Sequence, residues 1–313
     1  MIFPRIKIAK VFQKFFLLAQ ATNNWYDFLL YLIGIEKKVR VNLKNGFSID
    51  FGEDDRADML NSKNFKIYKS LASAYLLSKK GITRFFKSGL ELSIGGKNLY
   101  IPFDSCDEFD LFLETFYNLI PYHHRFSFQE VNKQYVLCKV DGCLFKIKPN
   151  SGMLYGIFEV FFEEQYSDLE VRDKFVIDVG ASIGDSVIYF LARGAKKVIA
   201  FEPDKDSFNF LEENISLNGS RDKVEIYNDF ADSKKISSLV RSPSVLKIDC
   251  EGCEFEIIKN LDEEVLKNVE QIILEYHRFP SSLISKLYKY GFAIRYADLY
   301  IPWIGIISFK KKS

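Results

Sequence analysis

Four acidic segments in the second half of the chain carry residue types that chemistry needs. The first is FVIDVGASIGDS, residues 175–186. An apolar run reaches Asp178, and Gly180 and Gly184 then bracket a short loop before a helical period begins. Glycine lets a backbone approach a ligand closely because no Cβ intervenes. In open α/β sheets such a loop lies at the carboxyl ends of the strands, where ligands bind. A dinucleotide calls for G-x-G-x-x-G, with a helix N-terminus facing pyrophosphate. This chain has D-x-G-x-x-x-G instead. A carboxylate at that point attracts a cation and repels pyrophosphate. The segment therefore suits S-adenosylmethionine, which carries an ammonium and a sulfonium, better than a nicotinamide dinucleotide.

The second segment is FEP, residues 201–203. An acidic residue about twenty positions beyond a glycine loop can accept both hydroxyls of a ribose, which is the role expected of Glu202. Pro203 then resets the chain into a helix. The third is VLKIDCEGCE, residues 245–254, where an apolar run delivers Asp249, Glu251 and Glu254 to the same edge. The fourth, ILEYH, residues 273–277, ends on His277, one of three histidines. A histidine or a carboxylate there can take the proton of an acceptor hydroxyl. His277, Glu251 and Asp249 are the candidate catalytic set, with the general base left between His277 and Glu251.

These residues need a sheet edge to hold them, and the pattern supplies one. From residue 174, short apolar runs alternate with helical periods. Strands are expected over 174–179, 197–201, 223–227, 245–248, 269–275, 292–296 and 304–310. Helices are expected over 185–193, 204–218, 254–260 and 281–290. Asn218-Gly219 and Gly291 are natural helix stops. Such alternation predicts a mainly parallel sheet with helices on both faces. The last two strands have no helix between them, so the final one should run antiparallel. Before this lies a different texture. Residues 1–38 read as a helical segment. Residues 39–165 read as an α+β accessory region, with glycine-turn hairpins over 39–51, 90–103 and 135–147 that resemble a diverged repeat. Residues 109–117 and 157–162 are expected to be helical. Residues 166–313 form the cofactor domain.

The chain has 313 residues, 48% of them hydrophobic, enough for a substantial core. Its 43 basic and 42 acidic side chains nearly cancel, which lacks the basic footprint of a nucleic-acid binder. No nucleic-acid partner is expected. The five cysteines are odd in number and irregular in spacing, unlike a disulfide framework. Cys250-x-x-Cys253 and Cys138-x4-Cys143 fall short of a zinc site, and no metal is expected. Free thiols would fit a reducing, cytoplasmic compartment. No apolar run reaches the ~18 residues of a membrane-spanning helix. Basic and apolar residues interleave over 1–35, a pattern that fits either a helix docked on its own protein or one lying on an anionic membrane surface.

The segments FVIDVGASIGDS, FEP, LKIDCEGCE and ILEYH, with Ile157-Phe158-Glu159 ahead of them, resemble the FkbM family of S-adenosylmethionine-dependent methyltransferases. The resemblance runs from about residue 141 to the C-terminus. It implies a Rossmann-like class I methyltransferase fold with a seven-stranded, mostly parallel sheet, here preceded by the α+β N-terminal region. It implies O-methylation of a sugar, glycan, glycolipid or other small natural product. Carried over by position, Asp178, Gly180, Ala181, Ser182, Gly184, Asp185 and Ser186 would line the cofactor loop. Glu202 and Pro203 would meet the ribose, Asp229 the adenine, and Asp249 and Glu251 would border cofactor and acceptor. Two other readings compete: a nicotinamide-dependent oxidoreductase, and a non-catalytic module of the same fold that recruits a partner or membrane.

Overall fold

The computed structural model describes residues 5–6, 19–32, 34–44, 46, 48–54, 63–86, 89–94, 97–102, 109–132, 134–149, 151–301 and 304–312. The interleaved basic segment expected to be helical over residues 7–18, and the Gly95-Gly96 turn, lie outside them. Among the described residues no helix is long and apolar enough to cross a membrane. The chain divides into two compact units, one of residues 8–142 and 146–158, the other of residues 1–7, 143–145 and 159–313.

The unit formed mainly by the first half is α+β. Its three hairpins form, each in its own sheet. Val39–Asn42 pairs antiparallel with Ser48–Phe51. Gly89–Ile94 pairs with Lys97–Pro102 and with Thr83–Phe86. Val136–Val140 lies between Phe126–Val131 and Cys143–Ile147. The turn Asp141-Gly142 has both φ angles positive, 48° and 92°, the backbone that a two-residue hairpin needs. Helices run over Trp25–Leu32, Lys63–Ser78 and Phe109–Leu119. Phe28, Tyr31, Phe51 and Tyr68 pack as an aromatic knot with ring centroids 5.0–6.1 Å apart. The Tyr68 hydroxyl is paired with Thr22 Oγ1 at 2.7 Å, and burial pushes its pKa up to about 12.

The other unit is the alternating α/β fold. Its elements are β1 (Phe175–Val179), α1 (Asp185–Ala192), β2 (Lys197–Phe201), α2 (Lys205–Leu217), β3 (Val224–Tyr227), α3 (Ser233–Leu239), β4 (Ser244–Ile248), α4 (Glu254–Asn260), α5 (Glu263–Lys267), β5 (Val269–Tyr276), α6 (Ser281–Lys289), β6 (Phe292–Ile301) and β7 (Ile304–Lys311). In space the strands run β6-β7-β5-β4-β1-β2-β3, and the two-residue strand Arg5–Ile6 adds to β6. The first five are parallel and β7 is antiparallel to both its neighbours. This is the seven-stranded, mostly parallel Rossmann-like sheet expected, with the reversal at β7. Strands buried on both faces read as continuous apolar runs, and the four strand segments FVIDV, KVIAF, SVLKI and VEQIILEY are of that kind. Helices α3 and α5 were not expected. Each is short and polar on most faces, with only Ile236 and Leu266 buried, so the apolar period that marks a helix is nearly silent.

Strand order places the ligand edge. β1 is flanked by β2 on one side and β4 on the other, so the chain reverses direction of winding at β1, the switch point at which α/β sheets open a crevice. Gly180 sits at that point with φ +75°, and a Cβ there would lie 1.7 Å from the Asp249 carbonyl oxygen at the end of β4. Only a glycine lets the two strand ends approach this closely. Gly219, with φ +61°, has no atom near its Cβ direction. Gly219→Ala should therefore cost only left-handed backbone strain, about 1–2 kcal/mol. Gly180→Ala should cost well over that, more than about 4 kcal/mol, because strain and collision add. Urea unfolding of the two variants checks the difference, and equal costs would mean that the β1–β4 approach is not fixed.

Candidate active site at the carboxyl edge of the sheet

The crevice begins with a buried charge pair. Lys247 is the only charged residue in the strand SVLKI and is 2% exposed. Its Nζ lies 3.1 Å from Asp178 Oδ1 and donates to the Gly180 carbonyl at 2.5 Å. Ser186 donates to the other Asp178 oxygen at 2.6 Å. Burial pushes the Asp178 carboxyl up, and Lys247 and Ser186 pull it back. Burial likewise works against the Lys247 ammonium, but Asp178, Asp249 and Asp185 together outweigh it and hold its pKa above the ordinary value. Asp178 has no exposed surface. Its direct partner is Lys247, a neighbour that the sequence alone does not assign to it. Its charge is already compensated by Lys247, and its work is to hold the lysine that in turn holds the glycine loop.

The loop itself is built by backbone. Gly180, Ser182 and Gly184 all have positive φ. The Gly180 and Ala181 amides donate to the Phe201 carbonyl, each at 3.0 Å. Ala181 is buried and Ser182 exposed. A Cβ on Gly184 would lie 2.7 Å from Leu211 Cδ1, which ties the start of α1 to α2. Asp185, the first residue of α1, is buried, and that burial pushes its carboxyl up to about 6 despite Lys247 nearby.

Glu202 stands at the end of β2 beside this loop, 7% exposed. Its Oε2 accepts from the Ser182 amide and its Oε1 from the Asp204 amide, both at 2.8 Å. Burial pushes its carboxyl up, and the two amides oppose that. Each oxygen keeps a lone pair for a further donor. Pro203 is exposed. Asp229, after β3, is exposed and ion-paired to Lys235 at 2.6 Å, so a local lysine already occupies it.

The ends of β4 and β5 bring the three expected catalytic residues together. Asp249, Glu251 and His277 each offer a ligand atom within 4.8 Å of the others. The Tyr166 hydroxyl donates to Asp249 Oδ2 at 2.7 Å, and burial, then Asp249, holds that phenol well above its ordinary pKa. His277 Nε2 lies 3.1 Å from Glu251 Oε2. Glu251 is 86% exposed and has φ +56°. Glu254 is fully buried and accepts from the Gly252 amide at 2.9 Å and the His277 amide at 3.0 Å. Glu275 is pushed up to about 9 by burial and then by Asp249, Glu159 and Glu251.

Sequence reasoning did not single out Lys247, Tyr166 or Glu275. A lysine inside an otherwise apolar strand was the available signal for the first. Nothing local marks Tyr166, whose partner Asp249 is remote in sequence. One correction concerns the thiols. Cys250 and Cys253 are joined as a disulfide, so they are neither free nor available to zinc, and this pair does not support a reducing compartment. Cys138 and Cys143 are not joined in a disulfide. The bridge closes the turn that carries Glu251 and Gly252.

Comparison with known proteins adds four findings. The methyltransferase FkbM domain model matches residues 236–294. The uncharacterized protein 158B of Sulfolobus islandicus rod-shaped virus 1 is 34% identical over 131 residues, 41% of this chain and 77% of that protein. The tRNA(Phe) (4-demethylwyosine(37)-C(7)) aminocarboxypropyltransferase of Pyrococcus horikoshii is 43% identical over 56 residues, 18% of this chain and 20% of that protein. Among solved structures, the ribosomal protein L11 methylase of Lactobacillus delbrueckii subsp. bulgaricus aligns with a TM-score of 0.37 at 20% identity, over 48% of this chain and 76% of that one.

The Asp185 shift has a testable consequence. Below its ordinary value of 3.8 the carboxyl is protonated whether the chain is folded or not, and burial then costs nothing through ionisation. As pH rises from 3.8 to about 6 the unfolded chain ionises first, and the folded state loses stability until both forms are ionised. Asp185→Asn should therefore stabilise the protein by about 2 kcal/mol at pH 8 and by nothing at pH 3.5. Chemical denaturation at the two values measures it, and a gain that persists in acid would assign the effect to packing.

Proposed function

We propose, from the premise that this chain belongs to the FkbM methyltransferase family, that its second unit is an S-adenosylmethionine-dependent methyltransferase acting on a hydroxyl of a sugar, glycan or similar small molecule. The observation that carries the reading is the charge of the ligand edge. Glu202, Asp249 and Glu251 line it, while Lys247 is engaged with Asp178 and the Gly180 carbonyl. An edge of that sign fits a cationic ligand and opposes pyrophosphate, which weighs against the nicotinamide oxidoreductase. It also opposes a polyanionic acceptor, and so favours a neutral hydroxyl compound over RNA.

The residues fit the cofactor by the chemistry of their donors. Glu202 would accept from the ribose hydroxyls with the lone pairs left by its two amide partners. The loop of residues 180–184, where a Cβ on Gly180 would collide with the Asp249 carbonyl, would take the methionyl end. When bound, S-adenosylmethionine supplies a methyl group already activated by its cationic sulfur. The chain's own tasks are then alignment and proton removal. Holding the acceptor oxygen in line is worth roughly 7–11 kcal/mol in well-oriented systems. Glu251 and His277, 3.1 Å apart, would take the proton of an acceptor hydroxyl. General-base assistance of this kind contributes about 10²–10⁴ in rate. Asp249, fixed by Tyr166, would receive a second hydroxyl of the acceptor. Residues 1–35, with Trp25, Tyr26 and Ile35 exposed, would bring the enzyme to the surface of a membrane that holds a glycolipid acceptor.

The group transferred needs its own test, because one relative is an aminocarboxypropyltransferase and S-adenosylmethionine carries that group on the same sulfur as its methyl. The protein is incubated with a glycan and glycolipid extract and cofactor labelled either at the methyl or at the carboxyl carbon. Label in the product from the methyl form alone is expected. Label from the carboxyl form would replace methyl transfer by aminocarboxypropyl transfer. In calorimetry Glu202→Ala should weaken cofactor binding roughly 10- to 100-fold, while His277→Ala should leave affinity unchanged and slow turnover. Unaltered affinity in the Glu202 variant would remove the site assignment.

A further inference from the structure

We infer that Asp249, Glu251 and His277 form a site for one divalent cation of the manganese–zinc class at the acceptor end of the crevice. The role given to that cation, holding the acceptor oxygen, rests on the methyltransferase reading, but the site itself does not.

The donor set comes from two neighbouring strands. Asp249 and Glu251 follow β4 as D-x-E, His277 follows β5, and the two strands are paired in parallel with Ile248 beside Leu274. Asp249 follows the strand end directly, and Glu251 is carried by the turn after it, with φ +56°, which sets it beside the histidine. One ligand atom from each lies within 4.8 Å of the others. Bonds of about 2.1 Å to nitrogen and carboxylate oxygen put two adjacent ligands of one octahedral ion about 3 Å apart. His277 Nε2 and Glu251 Oε2 already stand at 3.1 Å. Glu251 is exposed, so its side chain is free to complete the set by rotation.

A separate observation concerns the other side of the imidazole. His277 Nδ1 is buried, has no hydrogen bond, and faces Glu254 Oε1 at 3.4 Å. Glu254 is fully buried and fixed by the amides of Gly252 and His277. Both ring nitrogens thus face carboxylate oxygen, whereas a neutral imidazole can donate from only one of them. A carboxylate that accepts from one ring nitrogen orients metal-bound histidines, and Glu254 stands within a small ring rotation of that role. The Cys250–Cys253 bridge closes the turn on which Glu251 sits, so the loop arm of the site is restrained before any ion arrives.

Three protein ligands leave coordination positions open for an acceptor hydroxyl and its neighbour, so a vicinal diol is the acceptor class the site would take. A coordinated hydroxyl is more acidic than a free one, and the cation would share the task otherwise left to His277 or Glu251. An imidazole beside two carboxylates favours Mn²⁺ or Zn²⁺ over Mg²⁺, which prefers oxygen alone.

The test uses the full chain, stripped with chelator and titrated with Mn²⁺, with free ion followed by electron paramagnetic resonance. One Mn²⁺ per chain is expected, weakened by more than about tenfold in Asp249→Asn, Glu251→Gln and His277→Gln. Glu251 is exposed, so its variant folds even where the other two do not. Equimolar Zn²⁺ should displace the Mn²⁺ and equimolar Mg²⁺ should not. No retained Mn²⁺, binding unchanged in Glu251→Gln, or ready displacement by Mg²⁺ would each overturn the assignment. Calorimetry of S-adenosylmethionine on the same stripped protein separates the two ideas. Cofactor binding without Mn²⁺ binding removes the cation site alone, and Mn²⁺ binding without cofactor binding removes the methyltransferase reading alone.

Discussion

A single lysine amine in the middle of the sheet joins three parts of the crevice. Lys247 Nζ meets the Asp178 carboxylate, the Gly180 carbonyl and, at 3.3 Å, the Val179 carbonyl. An isolated ammonium in such a place would be prohibitive, and burying a carboxylate alone would be equally so. Together, with Ser186 supplying another hydrogen bond, they become tolerable. The cost of desolvation is offset only while all the partners keep their positions. That requirement fixes the tip of β1 against β4 and, through the Gly180 carbonyl, fixes the loop between them. The carbonyls receive a cation and the amides of the same loop remain bound to Phe201. The loop is thus rigid before any ligand arrives, which is the condition for binding without a large ordering cost.

The same clamp divides the acidic residues into two sets. Asp178 and Asp185 lie behind the loop, fully or nearly buried, with Lys247 as their shared counter-charge. Asp249 and Glu251 lie in front, where Tyr166 donates to the one and His277 stands beside the other, although Asp249 also helps to hold Lys247 charged. Two carboxylates on the same strand pair, Asp178 and Asp249, thus stand in different surroundings, one buried against Lys247 and one bonded by the Tyr166 hydroxyl, though nothing in their residue type distinguishes them.

Much of this was legible in the sequence because buried parallel strands announce themselves as apolar runs, and four of them end beside the candidate site residues. The ends of β1, β2, β4 and β5 fell where the runs stop, and His277, Glu251 and Asp249 were placed at one edge before their distances were known. The errors have a common physical origin. A strand-end carboxylate such as Asp178 looks the same in sequence whether its partner is a cofactor or a buried lysine inside the neighbouring strand. The pairing register, Asp178 beside Lys247, is a tertiary fact. Tyr166 and Asp249 likewise meet only because residues 159–174 return to the sheet. Cys250 and Cys253 were read as free thiols from compartment and count, whereas a turn with two positive-φ residues, Glu251 and Gly252, brings their Cα atoms to 5.5 Å, within bridging range.

That turn also explains why the front set of carboxylates is usable at all. A flexible loop bearing Glu251 would spend most of its time with the side chain in water, screened and far from His277. Three restraints act on it: the bridge between Cys250 and Cys253, the Gly252 amide bound to Glu254, and the His277 amide bound to the same carboxylate. Glu254 therefore serves two strand ends at once, and its complete burial is tolerable because both of its oxygens accept from backbone amides. The geometry at His277 is then a consequence of backbone rather than of side-chain preference. An exposed glutamate held beside an imidazole by such a frame would lose little entropy on engaging a proton or a cation.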